Sequence, residues 1–194
     1  MEIDNINLIL PFLNFESEDD FYYLQIIQRK KENPQLGSNS RVIKNYYIKS
    51  SDYLLNKYDE IKKLCDLFNA RAMIRLNKGS FEKVGMKTMI NIVNTITNKD
   101  YKYLKNSYDR ACGQHHNDSQ KKWILDIDNI KKVSPLMLAY IDHKCKPLGS
   151  KILSEIPSKT GFHLITKPFD CEEFKVLYPE VDIHKDNPTN LYIS

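Results

Sequence analysis

Long apolar runs are missing from this sequence. The most apolar stretch, "NLILPFLNF" (7–15), is too short to span a bilayer and has neither the basic start nor the small-residue cleavage site of a secretory signal. No membrane partner is therefore expected. Cysteine is sparse: Cys65, Cys112, Cys145 and Cys171 lie far apart and form no CxxC pair, which points to a reduced, cytoplasmic protein (host cytoplasm, if a phage encodes it) rather than a disulfide scaffold. Glycine is scarce too, at 6 of 194 residues, while Lys, Asn and Ile abound, as an AT-rich coding sequence would produce. There is no internal repeat, low-complexity tract or long charge block.

What is present is ordinary globular material, with 41% hydrophobic residues and a formal net charge of +4. That charge is compatible with nucleic acid or nucleotide partners without selecting them. The length suits one sizeable domain or two small units sharing a core.

The spacing predicts a helix over 17–31, whose acidic start and basic end suit the helix dipole, and a loop over 32–40. A strand at 41–48, an amphipathic helix at 50–68, a strand at 70–77 and a helix at 80–96 follow. The first half thus reads as a βαβα-like unit with a helix in front. After a polar stretch (106–122) come a strand at 123–128, a helix at 134–145, strands at 151–156 and 161–167, a helix at 170–178 and a strand at 181–185. This is βαββαβ, the ferredoxin-like or RNA-recognition-type order, with 189–194 as a possible last strand. The expected class is α+β, in one domain made of an N-terminal αβ unit (1–118) packed with an RRM-like unit (119–194).

In "WILDID" (123–128) the two-residue strand period puts Asp126 and Asp128 on one face and Trp123, Leu125 and Ile127 on the other. Like charges on one face repel, so something must balance them. In a 4-1-3-2 sheet the polar sets of the neighbouring strands, His163 from "GFHLITK" and Asp182 and His184 from "VDIHKD", join that face, which both helices leave open. A carboxylate cluster with imidazoles nearby suits a divalent cation, and Mg²⁺ prefers carboxylates plus substrate phosphates. A solvated strand face is the competing explanation.

The succession of "ILDID", "SKTGFH" (158–163) and a late hydrophobic-Asp strand resembles the archaeo-eukaryotic primase superfamily, of the small primase-polymerase type found in phages and mobile elements. Asp126 and Asp128 match its first motif, Ser158, Gly161 and His163 its second, and Asp182 its third, with Asp186 as the fallback. The resemblance implies template-dependent nucleotidyl transfer in phage or plasmid DNA replication. Mg²⁺ or Mn²⁺ would sit on Asp126, Asp128 and Asp182, and the incoming triphosphate on Ser158, Gly161, His163 and Lys167. Nucleoside triphosphates and a single-stranded template are the implied partners, with a separate helicase as a further option.

Arg71 and Arg75, four apart on a predicted strand, with Lys78 beyond, are expected to contact template phosphates, and Asn77 shares their face. Cys112, His115 or His116, His143 and Cys145 raise zinc, but the H-x-C spacing departs from the usual ligand pairs and zinc is not expected. The tyrosines Tyr22, Tyr23, Tyr46, Tyr47 and Tyr53 read more simply as core than as base-stacking platforms. The alternative to an enzyme is a non-catalytic nucleic-acid-binding or replication-accessory module with the same fold. A nucleotide-binding regulator or cyclase-type enzyme would also use paired aspartates, but does not predict the Ser-x-x-Gly-x-His turn.

Overall fold

The computed structural model describes residues 2–37, 39–114, 120–128 and 133–194. Along the chain the strands and α-helices are β1 (Ile3–Asp4), α1 (Ile6–Ile9), β2 (Asp20–Gln28), β3 (Arg41–Ile48), α2 (Ser51–Phe68), β4 (Arg71–Ile74), β5 (Gly79–Ser80) and α3 (Phe81–Thr97). They continue as α4 (Ser107–Gln114), β6 (Trp123–Asp128), α5 (Pro135–His143), β7 (Ile152–Pro157), β8 (Gly161–Thr166), α6 (Glu172–Leu177), β9 (Asp182–His184) and β10 (Thr189–Ile193). The class is α+β, built on two antiparallel sheets.

The first sheet runs β1-β10-β4-β2-β3, with β5 also paired to β2. Its α2 forms where the sequence places it. The Ser50 hydroxyl accepts from the Tyr53 N–H at the start, and Asn69, in a left-handed conformation at φ 45°, closes the end. Leu54, Tyr58, Ile61 and Cys65 of α2 bury against Tyr22, Leu24, Ile26, Ala72 and Ile74. On the sheet's other face Phe21 and Tyr23 meet Val84 of α3 and Ala111 and Cys112 of α4.

The helix expected over 17–31 is instead the inner strand β2. Both of its faces are covered, so Phe21–Leu24 are all apolar and buried with no period-two alternation, and the stretch passes for a helix. A second correction concerns the boundary at residue 119. β10 leaves the C-terminal unit and inserts between β1 and β4, so 189–193 belong to the first sheet.

The second sheet runs β7-β8-β6-β9, with α5 between β6 and β7 and α6 between β8 and β9, so that the βαββαβ order is present. Leu125, Ile127 and Leu164 pack on Met137 and Ile141 of α5 and Phe174 of α6. The opposite face is not the open surface the sequence suggests. Ile124, Ile156 and Ile165 project from it into the core of the first sheet, which covers that part of it. Among the described residues, no helix is long and apolar enough to cross a membrane.

Candidate active-site cleft between the two sheets

Three neighbouring strands set one row of side chains. Asp126 of β6 stands opposite His163 of β8 on one side and Asp182 of β9 on the other. Directly paired antiparallel residues share a face, so the three project together. The "SKTG" turn joins β7 to β8 and sets where β8 begins. The Ser158 N–H donates to the Gly161 carbonyl at 2.9 Å, and the Gly161 N–H donates to the Ser158 hydroxyl at 3.1 Å. Gly161 is sterically required, because a Cβ there would lie 1.9 Å from the Ile127 carbonyl oxygen across the strand pair. Ser158 and Gly161 therefore build the turn, and neither lines the cleft.

The cleft has a volume of 230 Å³. Asp126, His163 and His184 line it from the second sheet, and Arg71, Met73 and Asn190 from the first. His163 is buried; its Nε2 lies 3.6 Å from Asp126 Oδ1, and its Nδ1 is 2.9 Å from the Thr189 hydroxyl. An N–H facing a carboxylate is favoured over a lone pair, so the proton belongs on Nε2 and Thr189 donates to Nδ1. Burial lowers the imidazole pKa below its ordinary value, the Asp126 charge opposes that, and His184 and Arg71 add to it. His163 is thus a neutral donor at neutral pH.

Arg71 lines the cleft, but as a paired group. Its guanidinium holds the Glu32 carboxylate through both Nε (3.1 Å) and an Nη. The other two expected template contacts are elsewhere. Arg75 donates to the Asp186 carbonyl and is half-buried beside Tyr23 and Cys112. Lys78 is buried between Asp20 and Glu16, with its Nζ 3.1 Å from a carboxylate of each, and is not a surface cation. Alternation along one strand cannot foresee this, because Lys78 is drawn inward by carboxylates that precede it by some sixty residues in the chain. Asn77 joins the sheets: its Nδ2 donates to the Lys122 and Lys185 carbonyls and to Asp186 Oδ1, and its Oδ1 accepts from the Lys122 N–H.

Of the two candidates for the third aspartate, Asp182 is the cross-strand neighbour of Asp126, whereas Asp186 is engaged by Asn77. Asp128 is exposed and accepts from the Thr160 hydroxyl at 2.7 Å. Lys167 lies away from the row and lines a different groove. Among the described residues, no three His, Cys, Asp or Glu side chains are grouped closely enough to form a ready-made metal site. Of the weighed zinc ligands, Cys112 is buried over the first sheet and Cys145 under the second, while His115 and His116 lie outside the described residues. Tyr22, Tyr23 and Tyr46 are core, and Tyr23 and Tyr47 both donate to Asp109.

No family model, no curated protein and no solved structure matches this chain.

The most informative residue the sequence did not single out is Asn190. It lines the cleft from β10, is 1% exposed, and its Oδ1 has no hydrogen-bond partner among the described residues. A buried orphan acceptor in a cavity wall marks a place where a ligand donor is expected. Its only sequence signal is an amide residue at the start of a mostly apolar final strand.

Proposed function

We propose that the chain is a primase-polymerase-like nucleotidyltransferase that extends a nucleic acid strand on a single-stranded template. One observation carries this reading. Asp126, Asp182 and the neutral His163 share one row on adjacent strands, and Asp126 and His163 line a cleft that also holds Arg71. The cleft is smaller than cavities that enclose a drug-sized ligand, so it suits part of a triphosphate, with sugar and base outside it.

Asp126 with Asp182 across the β6–β9 pair, and Asp128 two residues along, would hold a divalent cation. Mg²⁺ commonly takes one or two protein carboxylates and completes its shell with water and substrate phosphates, so the pair fits an ion arriving with its triphosphate. Such an ion supplies charge for the phosphates and for the developing transition state. His163 would donate its Nε2–H to a phosphate oxygen, held in that orientation by Thr189. Arg71, kept in place by Glu32, would add a directed cation, and Asn190 Oδ1 would accept from a sugar hydroxyl or a bound water.

A second reading, a non-catalytic nucleic-acid-binding module, draws support from the neutralisation of Arg71 and the lack of a preformed three-carboxylate group among the described residues. Incorporation of labelled nucleotides on single-stranded DNA with Mg²⁺ or Mn²⁺ decides between them. Incorporation by the wild type that is lost in D126N with the fold intact supports the enzyme. Template binding with no incorporation under either ion supports the binding module.

A further inference from the structure

The N-terminal end of β6 borders a larger groove, 680 Å³, which shares no residue with the cleft. Its walls are Pro11, Phe12 and Asn14 from the loop before β2, Gln120–Lys122 ahead of β6, and Leu153, Lys167 and Pro168 from the β7–β8 side. Three lysines line it, and among the described residues no Asp or Glu does. The ammonium groups of Lys121 and Lys167 make no hydrogen bond or ion pair among the described residues. Gathering like charges is unfavourable, and a bound anion removes that cost. The floor is apolar, with Phe12 half-buried among prolines and Leu153.

Each wall is held from behind. The buried Tyr22 hydroxyl accepts from the Asn14 N–H and lies 3.2 Å from the Phe12 and Asn14 carbonyls. Asn77 grips the Lys122 peptide on both sides, and the Lys167 N–H donates to the Lys151 carbonyl. The groove is therefore organised before anything binds, which lowers the entropic cost of binding.

We propose that this groove binds a nucleotide unit, with phosphate on Lys121, Lys122 and Lys167 and the base against Phe12. Ammonium groups beside an aromatic platform are the combination that holds single strands without sequence preference. Lys122 precedes Asp126 by four residues, a span of about 13 Å along an extended strand, so one bound strand can reach both places. The inference rests on the reading that this chain handles nucleotides, and it assigns Lys167 to this groove rather than to the triphosphate.

The test compares the full chain with K121Q/K167Q, using fluorescence anisotropy of a labelled oligothymidylate and of a fluorescent dATP analogue across a salt series. The expected result is weaker binding, with the log K against log salt slope shallower by about 1.4, or about 0.7 per lost phosphate contact on a single strand. A change with the oligothymidylate identifies a strand as the source of the phosphate. A change confined to the dATP analogue identifies free nucleotide. Unchanged affinity and slope for both probes, in a variant with wild-type melting, overturns the proposal. Incorporation assays on the same preparations separate the two readings. A groove-dependent slope in a protein that incorporates nothing sinks the polymerase and keeps the groove, while incorporation with an unchanged slope does the reverse.

Discussion

His163 Nε2 and Asp126 Oδ1 lie 3.6 Å apart across a strand pair, in a cleft where burial keeps the imidazole neutral. The separation is too long for a direct hydrogen bond but short enough for a cation on Asp126 and a phosphate oxygen on the His163 Nε2–H to be neighbours. Removing the carboxylate should therefore abolish chemistry while leaving the fold. For D126N we expect nucleotide incorporation at least about a hundredfold lower, with melting close to wild type because Asp126 is partly exposed. Incorporation at wild-type rate would remove Asp126 from the mechanism.

The lowered pKa of His163 gives stability a pH signature. The unfolded imidazole takes up its proton near 6.5 and the folded one only at lower pH. Between the two values the unfolded state binds more protons, so stability is complete above about 6.5 and declines as pH falls through that window. Melting curves from about pH 7.5 to about pH 5 should show this decline, and H163Q should flatten it. Equal slopes in both proteins would show that His163 is not the responsible group.

G161A should be among the most destabilising single changes. The new Cβ would sit 1.9 Å from the Ile127 carbonyl oxygen, so β6 and β8 must separate where their register brings Asp126 beside His163. A loss of about 3 kcal/mol or more in urea unfolding is expected, as for other severe steric conflicts. A loss under about 1 kcal/mol would mean that the turn adapts freely.

Arg71 and Glu32 form a bidentate pair with both side chains nearly buried. E32A leaves the guanidinium uncompensated and should cost about 3–5 kcal/mol, while E32A/R71M should recover most of it. Equal destabilisation by the single and double variants would place the cost in lost packing rather than in the stranded charge.

N190L tests the orphan acceptor. Replacing a buried amide that has no partner on Oδ1 with an apolar group should change stability by less than about 1 kcal/mol. Binding of the dATP analogue with Mg²⁺ should weaken. Stability that falls sharply would mean the Asn190 side chain is already satisfied within the fold.

The local arrangement of β6 and β8 in the second sheet was legible because their apolar residues alternate with polar ones. The alternation in "WILDID" and "GFHLIT" assigns Leu125, Ile127 and Leu164 to the helices and Asp126 and His163 to the reverse side, as found. β2 was not legible, since a strand buried on both faces carries no alternation. Arg71, Arg75 and Lys78 show a different limit. Their spacing says which side chains can share a direction, but Glu32, the Asp186 carbonyl and Asp20 decide where each charge is neutralised.

By itself, the sequence determined the βαββαβ order and the faces on which Asp126 and His163 lie, because these depend on local helix and turn signals and on a two-residue period, whereas the steric need for Gly161 comes from the Ile127 carbonyl across the strand pair. Only the tertiary structure decided that Ile124 and Ile165 are covered by the first sheet, that β10 crosses back into that sheet carrying Asn190, and that Lys167 belongs to a separate groove. Those outcomes depend on packing between segments distant in the chain, where burial and charge compensation, rather than local periodicity, select the partner.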